Sequence, residues 1–281
     1  MKHEDGFFKG VRGARICYQY WLPDDEPHAV LLISHGLVEH SGRYMNVVNH
    51  FVPHGYAVYS LDHLGHGRAD GRRVYVKGFA DFTDVLSGYL AMIRVWQPNK
   101  PIFLVGHSMG ALIAASFLLD HQSDFSGAIL SGPSVVVPKN VSRATIIMAR
   151  ILSALAHTIG LMGLDVEGVS RDPSVVRAYV NDPLVYNGKT TARLGYELLK
   201  AMRRVTTGAS QITLPIMILQ GGADRLVNPN GARILYATVG FVDKTLKVHD
   251  GLYHEVYNEP EHEQVLGDVE TWLETRLNIA K

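Results

Sequence analysis

The chain of 281 residues is long for one domain but within the range of large α/β folds, and with 47% hydrophobic and 19% charged residues it can bury a sizeable core, which excludes a disordered segment. Lysine plus arginine equals aspartate plus glutamate at 27 each, so there is no basic field to gather phosphates, and this argues against nucleic acid as a partner. The single cysteine, Cys17, cannot form an internal bridge, as fits a reducing compartment.

The N-terminal MKHEDGFFKG lacks an apolar run of signal-peptide length and reads as unprocessed, cytoplasmic chain. FFKGV and ARICYQYWL, separated by Arg12 and Gly13, predict an antiparallel hairpin. AVLLIS (29–34) predicts a strand leading into HGLVEHSGRY and a helical stretch ending near Pro53. YAVYSLD (56–62) predicts a strand before a glycine- and histidine-rich loop, and a helix follows over about 79–96. PIFLVG (101–106) predicts the next strand, ALIAASFLLDH a helix, and GAILSG (127–132) another strand.

The alternation breaks after this point. Residues 133 to about 207 hold no convincing strand and at least three helical stretches, which predicts an insertion. Sheet grammar returns with LPIMILQ (214–220), a helix over about 230–239, TLKVH (245–249) and a last helix over about 261–277. Short strands alternating with longer helices predict a mostly parallel sheet covered on both faces. Within the insertion, 143–162 is the most apolar long segment, but Arg150 near its middle would cost roughly 2.5 to 3.5 kcal/mol at a bilayer centre, so it is not read as a membrane span. Arg143, Arg150 and His157 recur every seven residues with Ser153 between them, which predicts one polar stripe on an apolar helix.

Gly106, His107, Ser108, Met109 and Gly110 fill G-x-S-x-G between strand and helix, the nucleophile elbow of the α/β-hydrolase fold. A serine hydroxyl is a weak nucleophile until a base takes its proton and a third group orients that base, so an acid and then a histidine are expected on late loops. Asp224 lies just past LPIMILQ, in the glycine-rich loop QGGADRLVNP. Of His249 and His254, the latter is preferred because it lies out on the loop after the last strand. The backbone N–H groups of Met109 and Leu37 are the expected oxyanion donors. The fourteen histidines raise a metal reading, but His35 and Glu39 of HGLVEH are separated by three residues, and His63 and His66 lack nearby thiolates, so no metal is expected. No phosphate-cradling glycine motif occurs, and no cofactor is expected.

HGLVEHSGRY, LDHLGHGRADGRR, LVGHSMGA, SRDPSVVRAYVNDPLVY, LPIMILQGGADRLVNP and HDGLYHEVYNEPE together resemble the monoacylglycerol lipase and lysophospholipase group of α/β-hydrolases, in the same order and over nearly the whole chain. The resemblance implies residues 1–132 and 208–281 as hydrolase core and 133–207 as a helical cap. It implies Ser108, Asp224 and His254 as catalytic residues, Leu37 and Met109 as oxyanion donors, and Glu39, Arg43, His107 and Tyr179 around the alcohol end of the substrate. The chain departs from the family pattern at Ala111, where a second glycine is usual, and at Leu37, where a smaller residue is common. A small lipid or ester is the expected partner, with peripheral contact between the cap and lipid surfaces. A proline iminopeptidase-like peptidase and a non-catalytic ligand-binding protein are the competing readings.

Overall fold

The computed structural model describes residues 1–137 and 142–279. Its main sheet is built in chain order from β1 (Lys2–Lys9), β2 (Arg15–Leu22), β3 (Ala29–Ser34), β4 (Tyr56–Leu61), β5 (Ile102–His107), β6 (Gly127–Ser131), β9 (Ile216–Gly221) and β10 (Lys244–His249). The spatial order is β1-β2-β4-β3-β5-β6-β9-β10. The β1–β2 hairpin and the β2–β4 pair are antiparallel, and every later pair in this sheet is parallel. Strands β3, β4, β5, β6 and β9 are buried along their whole length, as their unbroken runs of apolar residues require of strands covered on both faces. The chain has the α/β-hydrolase fold, as its sequence pattern led us to expect.

On one face α1 (Met45–Phe51) and α8 (His262–Ile279) pack Val48, Phe51, Val265 and Leu273 against Leu31, Val58 and Phe103 of the sheet. On the other, α2 (Ala80–Trp96), α3 (Met109–His121) and α7 (Asn230–Thr238) cover Val30, Leu32, Leu104 and Ile218. Between β6 and β9 the chain forms α4 (Arg143–Leu155), α5 (Pro173–Asn181) and α6 (Ala192–Gly208). Two short strands, β7 (Gly160–Met162) and β8 (Thr190–Thr191), also pair there, against the expectation of none; they are too short to leave a periodic signal. Among the described residues, no helix is long and apolar enough to cross a membrane.

The polar stripe expected on α4 does not form. The helix ends at Leu155, so His157 lies beyond it, and Ser153 is buried while Arg150 is exposed. The side chain of Arg143 lies outside the described residues. The small residues Ala149 and Ser153, four apart, turn inward, where Arg193 of α6 donates to the Ser153 hydroxyl at 3.3 Å. Ile147, Met148, Ile151 and Leu155 face outward, Ile147 being 60% and Leu155 82% exposed.

Beneath the loops that follow β3 and β4 lie His35, His63 and His66, all buried. His35 donates from Nδ1 to the Gly36 carbonyl at 2.8 Å and accepts the His63 N–H at Nε2, at 2.9 Å, which defines a neutral imidazole. Burial pushes His35 down to about 3, His66 to about 4 and His63 well below the ordinary range, their mutual proximity adding to the effect on His35 and His63. In the unfolded chain these groups gain protons near pH 6.5 that the folded chain refuses, so stability falls as pH drops from about 6.5 towards 4. The slope is up to about 1.4 kcal/mol per pH unit for each imidazole. Chemical denaturation at pH 7.5 and at pH 5 checks this, and a midpoint that does not fall at pH 5 contradicts it.

Candidate active site

Ser108 sits between β5 and α3 with φ 54° and ψ −116°, a backbone conformation costly for any residue but glycine. Close packing imposes it. A Cβ on Gly110 would lie 1.9 Å from the Ser34 carbonyl oxygen, and one on Gly106 would lie 2.7 Å from the Cα of Ala111. Only glycines let the first turn of α3 descend this far onto the ends of β3 and β5. The Ser108 N–H donates to the Ser131 carbonyl at 2.9 Å, so the turn is also tied to β6. The serine stands at the N-terminus of α3, where unpaired N–H groups and the helix dipole favour negative charge.

Asp224 lies in the loop after β9. Its Oδ1 accepts the N–H groups of Leu226 at 2.8 Å and Val227 at 3.0 Å, and its Oδ2 accepts from Gln220 Nε2 at 2.9 Å. His254 Nδ1 donates to the same Oδ2 at 2.7 Å. Burial alone would raise the carboxyl of Asp224, but the His254 hydrogen bond and charge, with the two backbone donors, hold it below the usual carboxylate range. It is therefore an anion that accepts the Nδ1 hydrogen and orients the His254 ring. The two loops meet closely, since a Cβ on Gly221 would lie 2.0 Å from the Tyr253 carbonyl oxygen. The His254 ring reaches across to Gly132, the residue after β6, and its centroid lies 4.7 Å from that of His107, the neighbour of Ser108. Burial, with His254 adding to it, pushes His107 down to about 3. His249 turns the other way, its Nε2 3.9 Å from Asp268 on α8.

The loop after β3 closes over this point. A Cβ on Gly36 would lie 3.4 Å from Ser108 Cβ, so the half-buried Leu37 is one residue from contact with the serine. The loop bends through Val38 at φ 62°, and the Val38 carbonyl accepts the N–H of Tyr186, which follows α5, at 2.8 Å. Glu39 Oε1 accepts the Gly36 N–H at 2.5 Å and the Tyr44 hydroxyl at 2.8 Å. Its other oxygen accepts from Arg43 Nη1 at 3.2 Å.

Arg43 is shared. Its two amino groups donate to both oxygens of Glu255 at 2.5 and 2.9 Å, and its guanidinium lies 4.3 Å from the centre of the Tyr179 ring on α5. Burial and the charge of Glu255 push the Glu39 carboxyl up against the pull of Arg43; burial would also raise Glu255, but the paired guanidinium holds it down. Glu39, Arg43, His107 and Tyr179 are thus brought to one side of the serine turn. Glu255 joins them without having been singled out in the sequence, because 212 residues separate it from Arg43 and its only local signal is its place beside His254. Gln220 and Ser131, which hold Asp224 and the serine turn, carried no signal at all.

Residues 25–261 match the family described as serine aminopeptidase, S33. The chain is 39% identical to the monoacylglycerol lipase of Mycolicibacterium smegmatis over 96% of each chain. It is 34% identical to the monoglyceride lipase of Rattus norvegicus over 95% of this chain and 89% of that one. The crystal structure of Paleococcus ferrophilus monoacylglycerol lipase superposes with a TM-score of 0.82 at 26% identity, covering 98% of this chain and all of the other. A carboxylic ester hydrolase built on these strands and loops, the chain belongs to the serine aminopeptidase S33 family of α/β-hydrolases.

Proposed function

We propose that this hydrolase cleaves monoacylglycerols to glycerol and free fatty acid through an acyl-enzyme on Ser108. The observation that carries the reading is the buried Asp224–His254 pair, at 2.7 Å, beside a strained serine at a helix N-terminus. Ser108 Oγ attacks the acyl carbonyl while His254 Nε2 takes its proton, and Asp224 stabilises the imidazolium that forms. The N–H groups of Met109 and Leu37 receive the oxyanion, each contributing on the order of 3 kcal/mol to the transition state. His254 then protonates the departing glycerol oxygen, and water repeats the sequence on the acyl-enzyme. Glu39, Arg43, His107 and Tyr179 border the alcohol side, and residues 133–207 act as a helical cap over the core.

The names of the relatives support glycerol monoesters as substrate. A peptidase reading needs a carboxylate free to receive a substrate ammonium, and both carboxylates beside the site, Glu39 and Glu255, are committed to Arg43. Ser108→Ala should lower kcat on a long-chain monoacylglycerol by about 10^4-fold or more and abolish labelling by a fluorophosphonate. A lysophospholipid or an aminoacyl amide turned over faster than the monoacylglycerol would replace the substrate assignment, and an unlabelled Ser108 would remove the enzymatic one.

Arg43→Met tests the alcohol side. It should reduce kcat/KM for a glycerol ester about tenfold more than for the methyl ester of the same acid, because only glycerol offers hydroxyls to lost charged donors. Equal losses would instead assign the cluster to holding the two loops together.

The outward apolar face of α4 extends through Ile159, Leu161 and Met162, all exposed. Such a face suits the boundary of a lipid surface and allows peripheral membrane association. Charges introduced as Ile147→Glu and Leu155→Glu should weaken hydrolysis of aggregated long-chain substrate more than that of a short soluble ester, and parallel losses on both would count against it.

A further inference from the structure

Away from the serine turn, on the face of the sheet covered by α1 and α8, three side chains able to bind a metal converge from these two helices. His50 lies in the last turn of α1, His54 in the turn that follows it, and Glu270 in the middle of α8. The Glu270 carboxylate stands between the imidazoles, with His50 Nε2 2.9 Å from Oε2 and His54 Nδ1 3.1 Å from Oε1. One donor atom from each residue lies within 4.8 Å of the others, and the two rings are 5.1 Å apart at their centroids. We propose that His50, His54 and Glu270 form a binding site for a single zinc-class transition-metal ion.

The donor chemistry selects the ion. Two imidazoles and one carboxylate with an open fourth position is a set that zinc accepts, whereas magnesium and calcium require mostly oxygen ligands. Zinc–ligand bonds of about 2.0 to 2.2 Å in tetrahedral geometry put donors about 3.4 Å apart. The two short nitrogen–oxygen separations run to different oxygens of Glu270, and with one donor atom from each residue the set spans up to 4.8 Å, so binding draws the donors together. The imidazole pair closes by rotation of His54, whose side chain is 53% exposed and so has room to turn. His50 Nε2 and His54 Nδ1, which face the Glu270 oxygens, are the ring atoms that would take the ion, and the hydrogen each directs at the carboxylate must leave that nitrogen when it binds. Glu274, one helical turn beyond Glu270 and on the same face of α8, adds negative charge near the ion.

The site joins two supports of the active-site loops. Helix α1 follows the loop carrying Leu37, Glu39 and Arg43, and α8 follows the loop carrying His254. An ion bound to His50, His54 and Glu270 cross-links these helices and stabilises the folded state alone.

The full-length chain, freed of metal with a chelator and titrated with zinc chloride in a calorimeter, should bind one equivalent. At about a hundredfold excess over Kd its Tm should rise by about 5 °C, and cobalt should give the visible absorption of a low-coordinate nitrogen–oxygen site. Glu270→Gln and the exposed-site variant His54→Asn should each weaken zinc binding by roughly tenfold or more, while His254→Ala leaves it in place. Magnesium should not bind. Absence of saturable zinc binding, unchanged affinity in either Glu270→Gln or His54→Asn, or equal binding of magnesium would overturn the proposal.

Discussion

Helix α3 begins so close to the end of β3 that a methyl group on Gly110 would overlap the Ser34 carbonyl oxygen, and this approach sets the place and the strain of Ser108. A serine at φ 54° persists only where its surroundings allow no other path, and here a buried parallel strand on each side of β5 provides that rigidity. The hydroxyl is thereby held out of the sheet at a helix N-terminus. Its backbone N–H is anchored on β6, the strand whose following residue, Gly132, lies so near the ring of His254 that a Cβ there would be 3.0 Å from it. One steric constraint therefore fixes the serine turn beside the strand end over which the His254 ring lies.

The charged groups around this turn are held in a way that isolation in a protein interior demands. A buried carboxylate is costly unless donors surround it, and Asp224 receives two backbone N–H groups, the Gln220 amide and His254. Arg43 meets the same demand by serving two carboxylates with its donors and the Tyr179 ring with its face. These contacts connect the loop after β3, the loop after β10 and α5. A displacement of any one of them is felt by the others, because no partner is solvated well enough to be released at low cost.

The segment between β6 and β9 uses the opposite physics. On α4 the small side chains of Ala149 and Ser153 point inward and permit close packing, and Ile147, Met148, Ile151 and Leu155 point out. The heptad spacing of Arg143, Arg150 and His157 suggested a polar stripe because seven residues make nearly two helical turns. That reasoning needs a helix long enough to include all three. The helix stops at Leu155, and packing against α6 rather than polarity chooses the inward face.

Strands and helices of the core were legible in the sequence because each is written in near neighbours: AVLLIS, flanked by turn residues, coincides with β3, and GAILS with β6. The placing of Ser108 at a strand-to-helix turn, and of Asp224 and His254 on the loops after β9 and β10, was legible too, since each loop is bounded by such a strand. Which histidine pairs with the acid is decided in three dimensions, where His249 turns to α8 and His254 to Asp224. The pairing of Arg43 with Glu255 and the meeting of His50 with Glu270 belong to tertiary structure alone. Local sequence encodes backbone periodicity and turn chemistry, but contacts across two hundred residues exist only after the sheet has closed and its helices have packed, when excluded volume and buried charge select the partners.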